Sequence, residues 1–172
     1  MKIPFLSLVT LLSCISTVPA MADTVVPSPE IRKLLDEQIG TWKLNLKESK
    51  IEGQPYKSGY TVVIRHAYPI PDWTYTADEA GPDGKKMVFS FKGYADGKVH
   101  ANEGSGGTYS MELLPDGIVD AKLWSASGEF ENKFCIPYAN KIKIICLATV
   151  DSKEGKRTMF TNVLDKVSDA TE

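Results

Sequence analysis

Few residues in this chain have the types and spacing for chemistry. The two histidines, His66 and His100, could act as general acid or base near neutral pH, or one could ligate haem. His66 ends an alternating run, and His100 ends the short run Lys98-Val99-His100. Asp72, Asp78 and Glu103 are the carboxylates nearest to partner them. A metal site needs further ligands, and no H-x-x-x-H or C-x-x-C spacing supplies them, so neither a metal nor a cofactor is expected. Ser105 lies in Glu103-Gly104-Ser105-Gly106-Gly107, which is a turn and not a G-x-S-x-G nucleophile elbow. An enzyme built from these residues would use one histidine in acid–base work, as an isomerase, cyclase or dehydratase of an apolar substrate.

The aromatic residues offer binding chemistry instead. Trp42, Trp73, Tyr75, Phe89, Phe91, Tyr109, Phe130 and Phe134 each fall on the apolar side of an alternating segment. Large rings with a few hydroxyls either fill a barrel interior or line a site for a small apolar or amphipathic molecule. Both outcomes are compatible with the pattern. The third alternative is a ligandless envelope interaction module.

Cys135 and Cys146 are expected to form a disulfide. If Asn140 and Lys141 make a two-residue turn, the two cysteines lie directly opposite on a hairpin, where a bridge is geometrically accessible. Pro137 removes a ladder donor, and Lys141 and Lys143 fall on the face this register gives to Phe134 and Ile136, so a bulge is an alternative. Two buried free thiols are the other alternative.

The elements that must position these groups are nearly all strands. Ser28-Pro29-Glu30 carries a capping hydroxyl, a first-turn proline and a first-turn acid, and Ile31, Leu34, Leu35 and Ile39 follow at helical spacing up to Gly40. That predicts a helix of about three turns with one apolar stripe. From Gly40 onward the pattern has period two. Trp42, Leu44 and Leu46 alternate with Thr41, Lys43, Asn45 and Lys47. Similar alternation sets Val62 and Ile64, Trp73 and Tyr75, Met87 with Phe89 and Phe91, and Tyr109 with Met111 and Leu113 on apolar faces. Val119, Ala121 and Leu123 do the same, and Phe130, Phe134 and Ile136 are set against Glu129, Glu131 and Lys133. Turn pairs such as Asp83-Gly84, Asp96-Gly97, Asp116-Gly117, Ser127-Gly128 and Glu154-Gly155 leave no room for crossover helices. The expected fold is all-β: an antiparallel up-and-down β-barrel of about 8–10 strands with a short N-terminal helix.

Address and charge narrow the function. Lys2, the apolar run that follows and Ala20-Met21-Ala22 form a signal peptide with cleavage before Asp23. A lipoprotein anchored at Cys14, after Leu11-Leu12-Ser13, is the alternative. The resulting organisation is 1–22 signal peptide, 23–39 lead-in and capping helix, and 40–168 barrel. The protein is expected to be secreted or periplasmic. A formal charge of −2 without a basic stripe excludes a nucleic-acid partner, and the apolar run is too short and interrupted to be a transmembrane span.

Gly40-Thr41-Trp42 after a short helix, followed by a strand meander, resembles the lipocalin and fatty-acid-binding superfamily. Gly40-Thr41-Trp42-Lys43-Leu44-Asn45, then Ser49-Lys50 and Pro55-x-Lys57-Ser58, more closely resembles a group of uncharacterised exported bacterial proteins opening with GTWKLN. The resemblance implies a lipocalin-like barrel with an interior ligand, and a basic residue late in the chain, Arg157 or Lys166, packed over Trp42.

Overall fold

The computed structural model of the chain describes residues 26–169 except 69, 81–85, 103–105, 115–116 and 139–141, and the side chains of Ala80, Met87 and Phe89 are also outside the description. The expected signal peptide, Ser105, Glu103 and the expected Asp83-Gly84 and Asn140-Lys141 turns therefore lie outside the described residues.

Helix α1 (Pro29–Asp36) is two turns long, shorter than the expected three. Ser28 caps it, its hydroxyl accepting from the Ile31 amide at 3.3 Å. The chain leaves the helix by tightened bonds, Gln38 N to Leu35 O and Ile39 N to Asp36 O. Gly40 does not serve as the helix end. It has φ +144° and opens the first strand, where a Cβ would lie 2.6 Å from the Ser168 carbonyl oxygen. Leu35 is fully buried, with Ile31 and Ile39 packed beside it, so the apolar stripe closes one end of the barrel.

Among the described residues, twelve strands follow. They are β1 (Gly40–Leu44), the short β2 (Lys50–Ile51) and β3 (Gln54–Pro55), β4 (Tyr60–His66), β5 (Asp72–Ala80) and β6 (Lys86–Lys92). Next come β7 (Asp96–Asn102), β8 (Gly107–Leu113), β9 (Val119–Trp124), β10 (Phe130–Pro137), β11 (Lys143–Asp151) and β12 (Arg157–Ser168). Ten of them run in the order β6-β5-β4-β1-β12-β11-β10-β9-β8-β7, with β2 and β3 forming a small ribbon off β12. All the ladders are antiparallel, and β1 pairs with both β4 and β12, which brings the two ends of the meander together. The result is a nearly closed antiparallel barrel. Among the described residues no ladder joins β6 to β7. There the 93–95 connection is held by Gly93 N to Pro71 O at 3.1 Å and by Tyr94 N to the Tyr109 hydroxyl at 2.9 Å.

Alternation turns one side of each strand inward. Trp42, Val62, Ile64, Ile144 and Leu164 form one buried cluster. Leu35, Phe91, Tyr109 and Met111 belong to a second, against the helix. Lys166 Nζ lies 5.6 Å from the Trp42 ring centroid, so Lys166 is the basic residue over the tryptophan. Arg157 instead makes a forked pair with Asp151 on the surface.

Candidate functional site

The inward faces do not meet at the barrel's centre. They enclose a cavity of about 370 Å³, large enough for a small organic molecule. Most of its wall is apolar. Val62, Ile64 and Trp73 line one side, and Met111, Val119, Ile144 and Leu164 line others. Trp73 stacks on Phe91, with centroids 5.5 Å apart, and Phe91 meets Tyr109 edge to face at 4.8 Å. These rings brace each other and the helix, and so shape the wall near α1.

A polar cluster interrupts this wall. Lys133 and Glu131, two residues apart on β10, both point inward, with Lys133 Nζ 3.1 Å from Glu131 Oε1. The Lys133 ammonium also lies 5.7 Å from the Tyr75 ring centroid, and Tyr75 packs on Tyr60 at 5.9 Å. Tyr56 donates to Asn162 Oδ1, and both line the cavity. Space for the ammonium comes from the ladder. Lys133 sits opposite Ala121 on β9 and Ala148 on β11, the smallest side chains on that wall.

This environment fixes protonation. Burial works against the Lys133 charge, but the oxygens of Tyr75 and Glu131 overcome it and hold the ammonium above its ordinary range. Burial likewise raises Tyr60, and it pushes Tyr56 up to about 12. At neutral pH Lys133 therefore keeps its charge, and the Tyr56 and Tyr60 phenols keep their protons.

The Cys135–Cys146 disulfide is present, with Cα atoms 4.1 Å apart, and both halves line the cavity. The two residues are directly opposed in a ladder whose described pairs show no bulge.

Among the residues expected to face a ligand, Trp73, Tyr75, Phe91 and Tyr109 do line the cavity. Phe89 lies opposite Tyr75 in the β5–β6 ladder, but its side chain is outside the description. Trp42 is buried without reaching the cavity. Its indole donates to the Gln38 carbonyl at 2.7 Å, which ties β1 to the helix exit.

The inward placement of Phe130 and Phe134 is corrected. Phe134 is 37% exposed on the outer surface, and Phe130 packs against the outward Trp124 at 5.3 Å. The reason is the ladder to β11. Ile144, Cys146 and Ala148 face inward there, so their partners Pro137, Cys135 and Lys133 share the inner side and Phe134 and Ile136 must turn outward. One signal in the sequence could have found this. Cys146 belongs to an apolar alternation with Ile144 and Ala148, and a bridge to it puts Cys135, Lys133 and Glu131 on the inner face.

The histidines stand apart. His66 is exposed at the end of β4, opposite Asp72. His100 bonds Asp96 at 2.8 Å, none of the carboxylates expected for it, and stacks on Tyr109 at 5.4 Å without lining the cavity. No group of three or more metal-binding side chains occurs among the described residues.

No family profile matches the sequence, and no curated protein does. Among solved structures, the bovine odorant-binding protein with its natural ligand matches at a TM-score of 0.45 and 15% identity, over 77% of this chain and 73% of that one. The same bovine protein in complex with undecanal matches with the same figures. The S-type phycobiliprotein lyase of Guillardia theta matches at 0.44 and 10% identity, over 83% of this chain and 94% of that one.

Proposed function

We propose that the protein is an exported, lipocalin-like carrier or sensor that binds a small apolar or amphipathic molecule inside its barrel. The observation that carries this reading is the central cavity, mostly apolar with a polar cluster of Glu131, Lys133, Tyr56 and Asn162 on its wall. Binding is favoured over catalysis because neither histidine lines that cavity.

An uncharged dye such as phenylnaphthylamine should bind one-to-one and change tryptophan emission through Trp73. Ala121→Phe fills the wall beside Lys133 and should abolish uptake while the circular dichroism spectrum stays that of the parent. A folded parent that takes up no dye, or an Ala121→Phe variant that binds as well as the parent, would overturn the proposal.

Export is supported by Lys2, the apolar run and Ala20-Met21-Ala22, by the likeness of the GTWKLN opening to exported bacterial proteins, and by a disulfide of the kind that oxidising compartments maintain. N-terminal sequencing of protein recovered from the cell envelope should begin at Asp23. A lipid-blocked start at Cys14 would replace the soluble form with an anchored one.

A further inference from the structure

We infer, on the binding reading above, that the interior Lys133–Glu131 pair selects an uncharged head group that both accepts and donates hydrogen bonds, a primary amide being its simplest form, over the matching carboxylate. An ammonium offers three donors and no acceptor, and Glu131 occupies one of them at 3.1 Å. The carboxylate has lone pairs left for a ligand donor. Placed side by side on one wall, the two present a donor and an acceptor together.

The pair is also its own counterion. A ligand carboxylate would bring a second negative charge beside Glu131 with a single ammonium to share, and the repulsion offsets much of the attraction in a poorly screened interior. An uncharged amide avoids that repulsion and the cost of stripping water from an ion. Its carbonyl takes a Lys133 N–H, and its N–H bonds go to Glu131.

Buried ion pairs are often replaceable by apolar residues of similar volume without loss of stability. Ala121 and Ala148 leave the ammonium uncovered toward the cavity, where larger side chains would have sealed it. Tyr60 and Tyr75 wall the same end and add hydroxyls that serve either role.

The test is displacement of phenylnaphthylamine from the disulfide-intact protein at neutral pH by decanamide, methyl decanoate and decanoate. Decanamide should compete roughly tenfold more strongly than decanoate, with the ester, which only accepts, between them. The double variant Glu131→Leu/Lys133→Met removes both charges together and so orphans neither. Read as the ratio of amide to ester displacement within that variant, whatever its own dye affinity, the advantage of the amide should be lost. Decanoate competing as well as the amide, or an amide advantage that survives in the double variant, would overturn the head-group assignment while dye binding stands. A folded parent that binds no dye overturns the cavity reading itself, and this inference with it.

Discussion

Trp42→Ala should be the most damaging single truncation described here, lowering stability by about 3–5 kcal/mol. Trp42 is 1% exposed and sits where β1, β12 and the helix exit meet. Removing it leaves a large void, orphans the Gln38 carbonyl that its indole holds at 2.7 Å, and strips the platform beneath Lys166. The same lysine donates to the Glu37 carbonyl at 3.2 Å, so the helix exit loses support on two sides. In a domain of this size, the thermal midpoint should fall by roughly 10 °C or more. Trp42→Phe keeps most of the packing and loses the hydrogen bond, so it should cost far less. Thermal unfolding of the two variants measures this directly. A Trp42→Ala loss no larger than that of Trp42→Phe would show that the indole is not the anchor.

Lys133→Ala should cost about 3 kcal/mol, because it leaves the Glu131 carboxylate inside the barrel without its partner. Glu131→Leu/Lys133→Met should be close to the parent, since no charge is left unpaired. Urea midpoints of the three proteins decide the matter. Equal losses in the single and double variants would mean that the pair is not buried as a unit.

The same cluster gives an alkaline edge. Lys133, Tyr56 and Tyr60 all hold their protons more tightly when folded. Above the ordinary lysine and tyrosine range the folded state therefore binds more protons than the unfolded one, and stability falls as pH rises. The Lys133 contribution is fully present below the unfolded lysine value and is lost as pH climbs toward the folded one. The double variant should show a shallower alkaline decline.

Much of the architecture was legible because alternation is a local property. The apolar sets of β4, β5, β8 and β9 could be read from residue order alone, as could the capped helix and the Cys135–Cys146 pairing. The candidate site was legible only in part. Tyr75, Trp73, Phe91 and Tyr109 were found by their hydrophobicity, whereas Glu131 and Lys133 were assigned to the solvent side for the same reason.

Period two says which residues share a face of a strand and is silent on which face turns inward. On β10, bulk hydrophobicity favoured Phe130, Phe134 and Ile136, and the structure chose the other side. The choice came from pairing. Once Cys146 faces inward with Ile144 and Ala148, the ladder carries Cys135, Lys133 and Glu131 in with it. Whether ten strands close completely is likewise a matter of long-range geometry, and the seam between β6 and β7, without a ladder among the described residues, is written in no local pattern. An all-β meander with a capped helix and a cross-strand bridge follows from residue order alone. That an ion pair, and not two phenylalanines, faces the cavity follows only from strand pairing, because a strand's inner face is set by the neighbours it hydrogen-bonds to and only secondarily by its own side chains.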